Sequence, residues 1–261
     1  MKEYEIYSLR RSGSHFITEW ILSHFEYGYH KNSIRSNEPS QYIVWKNNTV
    51  THCINPDILP EDWVVPDEDY DVVLSSYEDE SFTEITENTI IILRDWYNTW
   101  ASRIKSNRYK CSGGNPASIY LNYCKFYDIM PENVILYNKL VVDEEYAKEV
   151  ERRFGWKHVP VTKKLPKSKI GAGSSFSGGH LKVASVNDRY KSTENHPAWP
   201  FIMSNHEINS YMEKIFNICP DVPDIKITET PPEATTTAKT VSSRPLGGLR
   251  SAQFTLNTII D

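Results

Sequence analysis

Residues 4–9, YEIYSL, are rich in Tyr and Ile, and the six residues after them are small, polar or basic. An apolar periodicity then begins at Phe16, with Ile17, Trp20, Ile21, Leu22 and Phe25 falling on one face of a 3.6-residue repeat. Strand, tight turn and helix in that order commit the start of the chain to an α/β unit. Further strands are expected at 42–45, 70–74, 89–93 and 133–137, and helices at 97–107, 116–129, 143–154 and 205–216. Strands alternating with helices predict a three-layer α/β/α fold around a central parallel sheet, of the P-loop NTPase-like kind. After Asp224 the chain turns to Thr, Ser, Pro and Ala without apolar periodicity. The expected division is therefore a domain over 1–228 and a low-complexity, disordered tail over 229–261.

Charge narrows the partners. With 29 Lys and Arg against 34 Asp and Glu, the formal charge is -5, so no general positive field recruits nucleic acid and any anion site must be local. The four cysteines lack metal or disulfide spacing, and no apolar run approaches the ~18 residues of a membrane span. The expectation is a protein without metal or membrane association, cytoplasmic, whose oligomeric state the sequence leaves open.

The turn itself reads LRRSGSHF at 9–16. A strand-to-helix junction offers backbone N–H groups and a helix dipole to an anion. Gly13 permits close approach, Ser12 and Ser14 supply hydroxyls, and Arg10 or Arg11 supplies positive charge. Either serine also suits the helix N-cap, the plainer role for such a turn. A Walker loop needs GxxxxGK[ST], and its lysine is missing.

Arg11, Ser12, Gly13, Ser14 and His15 resemble the 5′-phosphosulfate loop of sulfotransferases, which use 3′-phosphoadenosine 5′-phosphosulfate (PAPS) as sulfuryl donor. A second segment, IIILRDWYNTWASR at 90–103, is similar to the family's 3′-phosphate motif: a strand ending in Arg94 and Asp95, with Ser102 eight positions beyond Arg94. Trp96 stands where proline is usual. A surface ion pair of Arg94 with Asp95 or Glu87 is the alternative reading. Residues 134–155 resemble a following strand and helix through Tyr137, Leu140, Phe154 and Gly155, with Asn138 and Lys139 replacing an acidic pair, and are read as scaffold. Further on, 171–179 and 182–192 fall where relatives close over the nucleotide, and Arg189 and Lys191 are candidate phosphate contacts.

The resemblance spans about residues 4–218 and implies metal-free, in-line sulfuryl transfer from PAPS to a hydroxyl or amine of a small-molecule or glycan acceptor. Arg11 would stabilise charge on the bridging phosphate oxygen. The base is the open question, because the strand before the second motif, DVVLSSYEDES, offers no histidine. Glu78 is the nearest acid, Asp79 and Glu80 follow it, and His15 could donate to the sulfonate. An inactive nucleotide-binding or interaction module, and less so a P-loop kinase, are the competing functions.

Overall fold

A computed structural model describes residues 1–34, 41–47, 49–54, 69–82, 85–106, 115–161 and 188–218. The expected tail at 229–261 and the glycine-rich 171–179 segment lie outside the described residues.

Seven strands form one sheet: β1 (Lys2–Ser8), β2 (Tyr27–Ile34), β3 (Gln41–Lys46), β4 (Thr49–Ile54), β5 (Val72–Glu78), β6 (Thr89–Leu93) and β7 (Val134–Leu136), in the spatial order β4-β3-β2-β5-β1-β6-β7. From β2 to β7 the neighbours pair in parallel, with β1 central between β5 and β6. The sheet is mixed rather than wholly parallel, because β3 is antiparallel to β2, and β4 to β3. Chain length forces this correction. Six residues separate β2 from β3 and two separate β3 from β4, whereas a parallel crossover needs roughly a dozen or more.

Two helical layers cover the sheet. One apolar cluster joins α1 (Ser14–Leu22), α4 (Tyr137–Leu140) and α5 (Glu144–Phe154) to alternate strand residues such as Ile6, Leu74 and Ile92. The other joins α2 (Trp96–Lys105), α3 (Pro116–Ile129), α6 (Trp199–Met203) and α7 (His206–Phe216) to the residues between them, such as Tyr7, Ile91 and Leu93. All five residues of β6 are buried, as a central strand packed on both faces requires. The chain is thus an α/β/α sandwich. Among the described residues, no helix is long and apolar enough to cross a membrane.

The ends of β1, β5 and β6 bring their following turns together. β1 and β5 pair up to Ser8 opposite Glu78, and β1 and β6 up to Ser8 opposite Ile92. Residues 9–15, 78–80 and 94–95 therefore meet at the carboxyl edge of the sheet, where ligands bind open α/β folds.

Candidate functional site

The turn after β1 owes its shape to two left-handed residues, Arg11 at φ 72° and Gly13 at φ 92°. Gly13 is the N-cap of α1, and no side chain caps that helix. This replaces the expected serine cap. The hydroxyl of Ser14 instead donates to Oε1 of Glu78 at 2.9 Å, while Ser12 Oγ is buried with no hydrogen-bond partner among the described residues. A helix start without a cap leaves its first N–H groups available to an anion. Gly13 has a further constraint, because a Cβ there would collide with the ring of Tyr137.

Arg94 follows β6 and is 2% exposed, which excludes the surface ion pair. Its Nη1 donates to the carbonyl of Arg11 at 2.9 Å, and its guanidinium lies 5.0 Å from the centre of the Tyr137 ring. Nε and Nη2 of Arg94 are buried without a hydrogen-bond partner among the described residues. Each unsatisfied donor of this kind costs about 1–3 kcal/mol. The second anchor residue, Ser102, is also buried and accepts from Nε of Arg11 at 3.1 Å. The two sequence motifs thus touch.

Arg189 completes a cluster of three arginines. It opens a 3-10 helix at Arg189–Thr193 and is 5% exposed. Its pKa is lowered by burial first, then by the charge of Arg94, with Arg11 contributing in the same direction. The charge of Asp95 offsets part of this repulsion. Lys191, by contrast, faces solvent and pairs with Asp188 at 2.8 Å, so it is not gathered into the cluster.

Buried amides and a carboxylate beside the turn after β6 hold this arrangement. Asp95 is fully buried and caps α2 by accepting from the Asn98 N–H at 2.8 Å. Asn138 donates its amide to Asp95 at 2.7 Å and accepts the Asp95 N–H at 3.0 Å. Asn98 in turn accepts the N–H of Tyr190 at 3.1 Å, tying the 3-10 helix to the turn after β6. Burial raises the pKa of Asp95, against the opposing pull of Arg94 and of these amides. The neutral Asn138 serves as a hydrogen-bond partner that a carboxylate beside Asp95 could not be. The sequence reading places Tyr137 and Asn138 in scaffold, because their roles depend on contacts with Gly13, Arg94 and Asp95, 43 to 124 residues away, in no repeating pattern.

The acid candidates separate. Glu78 is the last residue of β5 rather than part of a loop beyond it, and its side chain is 12% exposed. Beyond Ser14, it lies 3.9 Å from Nε2 of His15 and 3.7 Å from Nε of Arg10. Asp79 is wholly buried against Arg103 and accepts the Arg10 N–H at 2.9 Å, so it is a structural charge. Glu80 presents its carbonyl to Tyr123.

No protein-family profile matches the chain, and no curated protein matches it. Among solved structures it is similar to mouse sulfotransferase SULT7A1 complexed with PAP, at 12% identity over 83% of this chain and 81% of that one, with a TM-score of 0.39. Similarity at that level decides neither fold nor function; the fold rests on the sheet and its helical layers.

Proposed function

We propose that this chain binds PAPS and transfers its sulfuryl group to a hydroxyl or amine acceptor. The observation that carries the reading is the contact between its two anchors: Arg94 on the Arg11 carbonyl and Arg11 on Ser102, with two buried donors of Arg94 left open. Such a cluster suits a nucleotide with phosphates at both ends, and the uncapped start of α1 suits its 5′ end. PAPS supplies the activated sulfuryl group when bound, and no metal is needed for that chemistry.

Ser12, Gly13, Ser14 and His15 line the 5′ side in this reading, while Arg94, Ser102 and Arg189 hold the 3′-phosphate. Arg11 faces charge that grows on the bridging oxygen. Glu78 takes the acceptor's proton as the acceptor atom bonds to sulfur, and the phosphate oxygen leaves with the electron pair of the broken S–O bond. His15, beside Glu78, donates to the sulfonate. Positioning and charge stabilisation carry most of the rate, and a well-placed base adds about 10²–10⁴-fold. The acceptor is a small molecule or glycan, and the setting is cytoplasmic.

Calorimetry with PAP, PAPS and ATP tests the binding step, and transfer of label from PAPS tests the chemistry. Micromolar or tighter binding of PAP and PAPS, with label moved to an acceptor, is the expected result. ATP binding in their place returns the chain to the kinase class, and PAP binding without transfer to any acceptor assigns it to inactive nucleotide-binding modules.

A further inference from the structure

The peptide unit between Arg11 and Ser12 is held at both ends. Its carbonyl accepts from Nη1 of Arg94 at 2.9 Å, and its N–H, which a trans peptide directs the opposite way, donates to the carbonyl of Leu9 at 3.1 Å. A hold is needed there, because Arg11 sits at φ 72°, a left-handed conformation that its Cβ disfavours. Two residues on, the carbonyl of Gly13 accepts the N–H of Ile17 at 3.1 Å and α1 begins. The orientation of this one peptide therefore sets how the start of α1 faces the 5′ side of the site.

We infer that Arg94 is a positioning residue for the 5′ loop, acting through the Arg11 carbonyl, so that the two ends of the nucleotide are coupled through one guanidinium. The inference rests on the sulfuryl-transfer reading and deepens it. A guanidinium is planar and rigid, so its nitrogens move as one. That of Arg94 lies over the Tyr137 ring, 5.0 Å from its centre, and its Nη1 is taken by the loop. Nε and Nη2, buried without a hydrogen-bond partner among the described residues, form a separate edge that suits a side-on pair of bonds to one phosphate. A 3′-phosphate fixed on that edge fixes Nη1 with it, and through Nη1 the left-handed turn. Arg189 adds charge to the same cluster, but it comes from the 3-10 helix that Tyr190 ties to Asn98. The Arg11 side chain has its own bond, to Ser102 at 3.1 Å, so a change at Arg94 removes the hold on the backbone and leaves that one in place.

Affinities of the full-length protein for PAP and for adenosine 5′-phosphosulfate, which lacks the 3′-phosphate, are to be measured in the wild type, in Arg94→Met, which fills the space without a donor, and in Arg189→Met. Arg94→Met should weaken both ligands, the 5′-phosphosulfate by about tenfold, whereas Arg189→Met should weaken PAP and spare the 5′-phosphosulfate. An unchanged affinity for the 5′-phosphosulfate in Arg94→Met, or an equal loss in both variants, would overturn the inference, as would PAP binding in a wild type that does not bind the 5′-phosphosulfate. A second measurement needs no variant and stands even where Arg94→Met does not fold. Adenosine 3′-phosphate, which leaves the 5′ side empty, should slow amide exchange at residues 12–15 of the wild type by about fivefold or more, the low end of coupling between sites. Unslowed exchange there at saturating adenosine 3′-phosphate would overturn the inference. Failure of the wild type to bind PAP would overturn the sulfuryl-transfer reading itself.

Discussion

Nε of Arg11 donates to the hydroxyl of Ser102 at 3.1 Å, across 91 positions of sequence. The two proposed phosphate anchors are therefore one hydrogen-bonded unit, and their variants should not behave independently.

On the proposed function Arg94 holds phosphate in ground and transition states alike, so Arg94→Ala should raise KM for PAPS steeply with a smaller fall in turnover. Arg11→Ala should lower turnover even at saturating PAPS. Each loss should amount to about 1.5–3 kcal/mol, the range of a charge-assisted contact. Arg11→Lys should keep much of the rate. Full turnover in Arg11→Ala would refute the role given to Arg11. In a double-mutant cycle, Arg11 and Ser102 should show a coupling of about 0.5 kcal/mol or more, read from PAP affinity.

Gly13→Ala should be harmful twice over. The new Cβ meets the Tyr137 ring at a backbone φ of 92°, and such strain costs about 1–3 kcal/mol. Thermal denaturation should show the loss, and PAP affinity should fall with it. Gly13→Ala combined with Tyr137→Ala removes the collision but not the backbone strain, so it should recover neither property fully.

Asp79 and Arg103 form an ion pair with both side chains fully buried. Asp79→Ala removes the carboxylate paired with the buried guanidinium and should cost about 3–5 kcal/mol in urea unfolding, while replacing both residues with apolar ones of similar volume should cost far less. Equal losses in the single and double variants would show that packing, not charge, dominates there.

Acid should destabilise the chain through two histidines. Burial holds His24 at about 4 and His30 at about 3, both below the ordinary 6.5. Above that ordinary value each is neutral in both states, so this contribution is fully present. As the pH falls below it, the unfolded chain takes up protons that the fold refuses, and stability drops by about 1.4 kcal/mol per pH unit for each histidine. The loss is complete for each once its folded-state value is passed. Urea midpoints compared between about pH 7.5 and about pH 5 check this, and His24→Gln should remove one proton's share of the slope.

The parts of the fold that read clearly from sequence are those whose buried faces are apolar. The strand at 89–93 and the helix at 116–129 match β6 and α3 residue for residue. β2 was not foreseen, because its inward positions are Gly28, His30 and Asn32, and an alternation carried by such residues looks like a loop. β4, Thr49–Ile54, has the same mixed composition and begins three positions after the last residue of β3. In the site, Arg11, Ser12, Gly13, Ser14, Arg94 and Ser102 were visible because each lies in a short local pattern. The roles of Tyr137, Asn138 and Asn98 were not, since only the folded chain brings them to Gly13, Asp95 and Tyr190.

The network running from Asn138 through Asp95 and Asn98 to Tyr190 joins residues 43 and 92 positions apart in sequence. No fragment of the chain contains the whole anion cradle, so its occupancy reports on completed folding rather than on any local structure. A ligand held there acts as a thermodynamic clamp on the entire domain: at a hundredfold excess over its Kd, it shifts the unfolding equilibrium by about 2.7 kcal/mol. Ligand-dependent protection should therefore extend to amides in β6 and α3 that never touch the nucleotide.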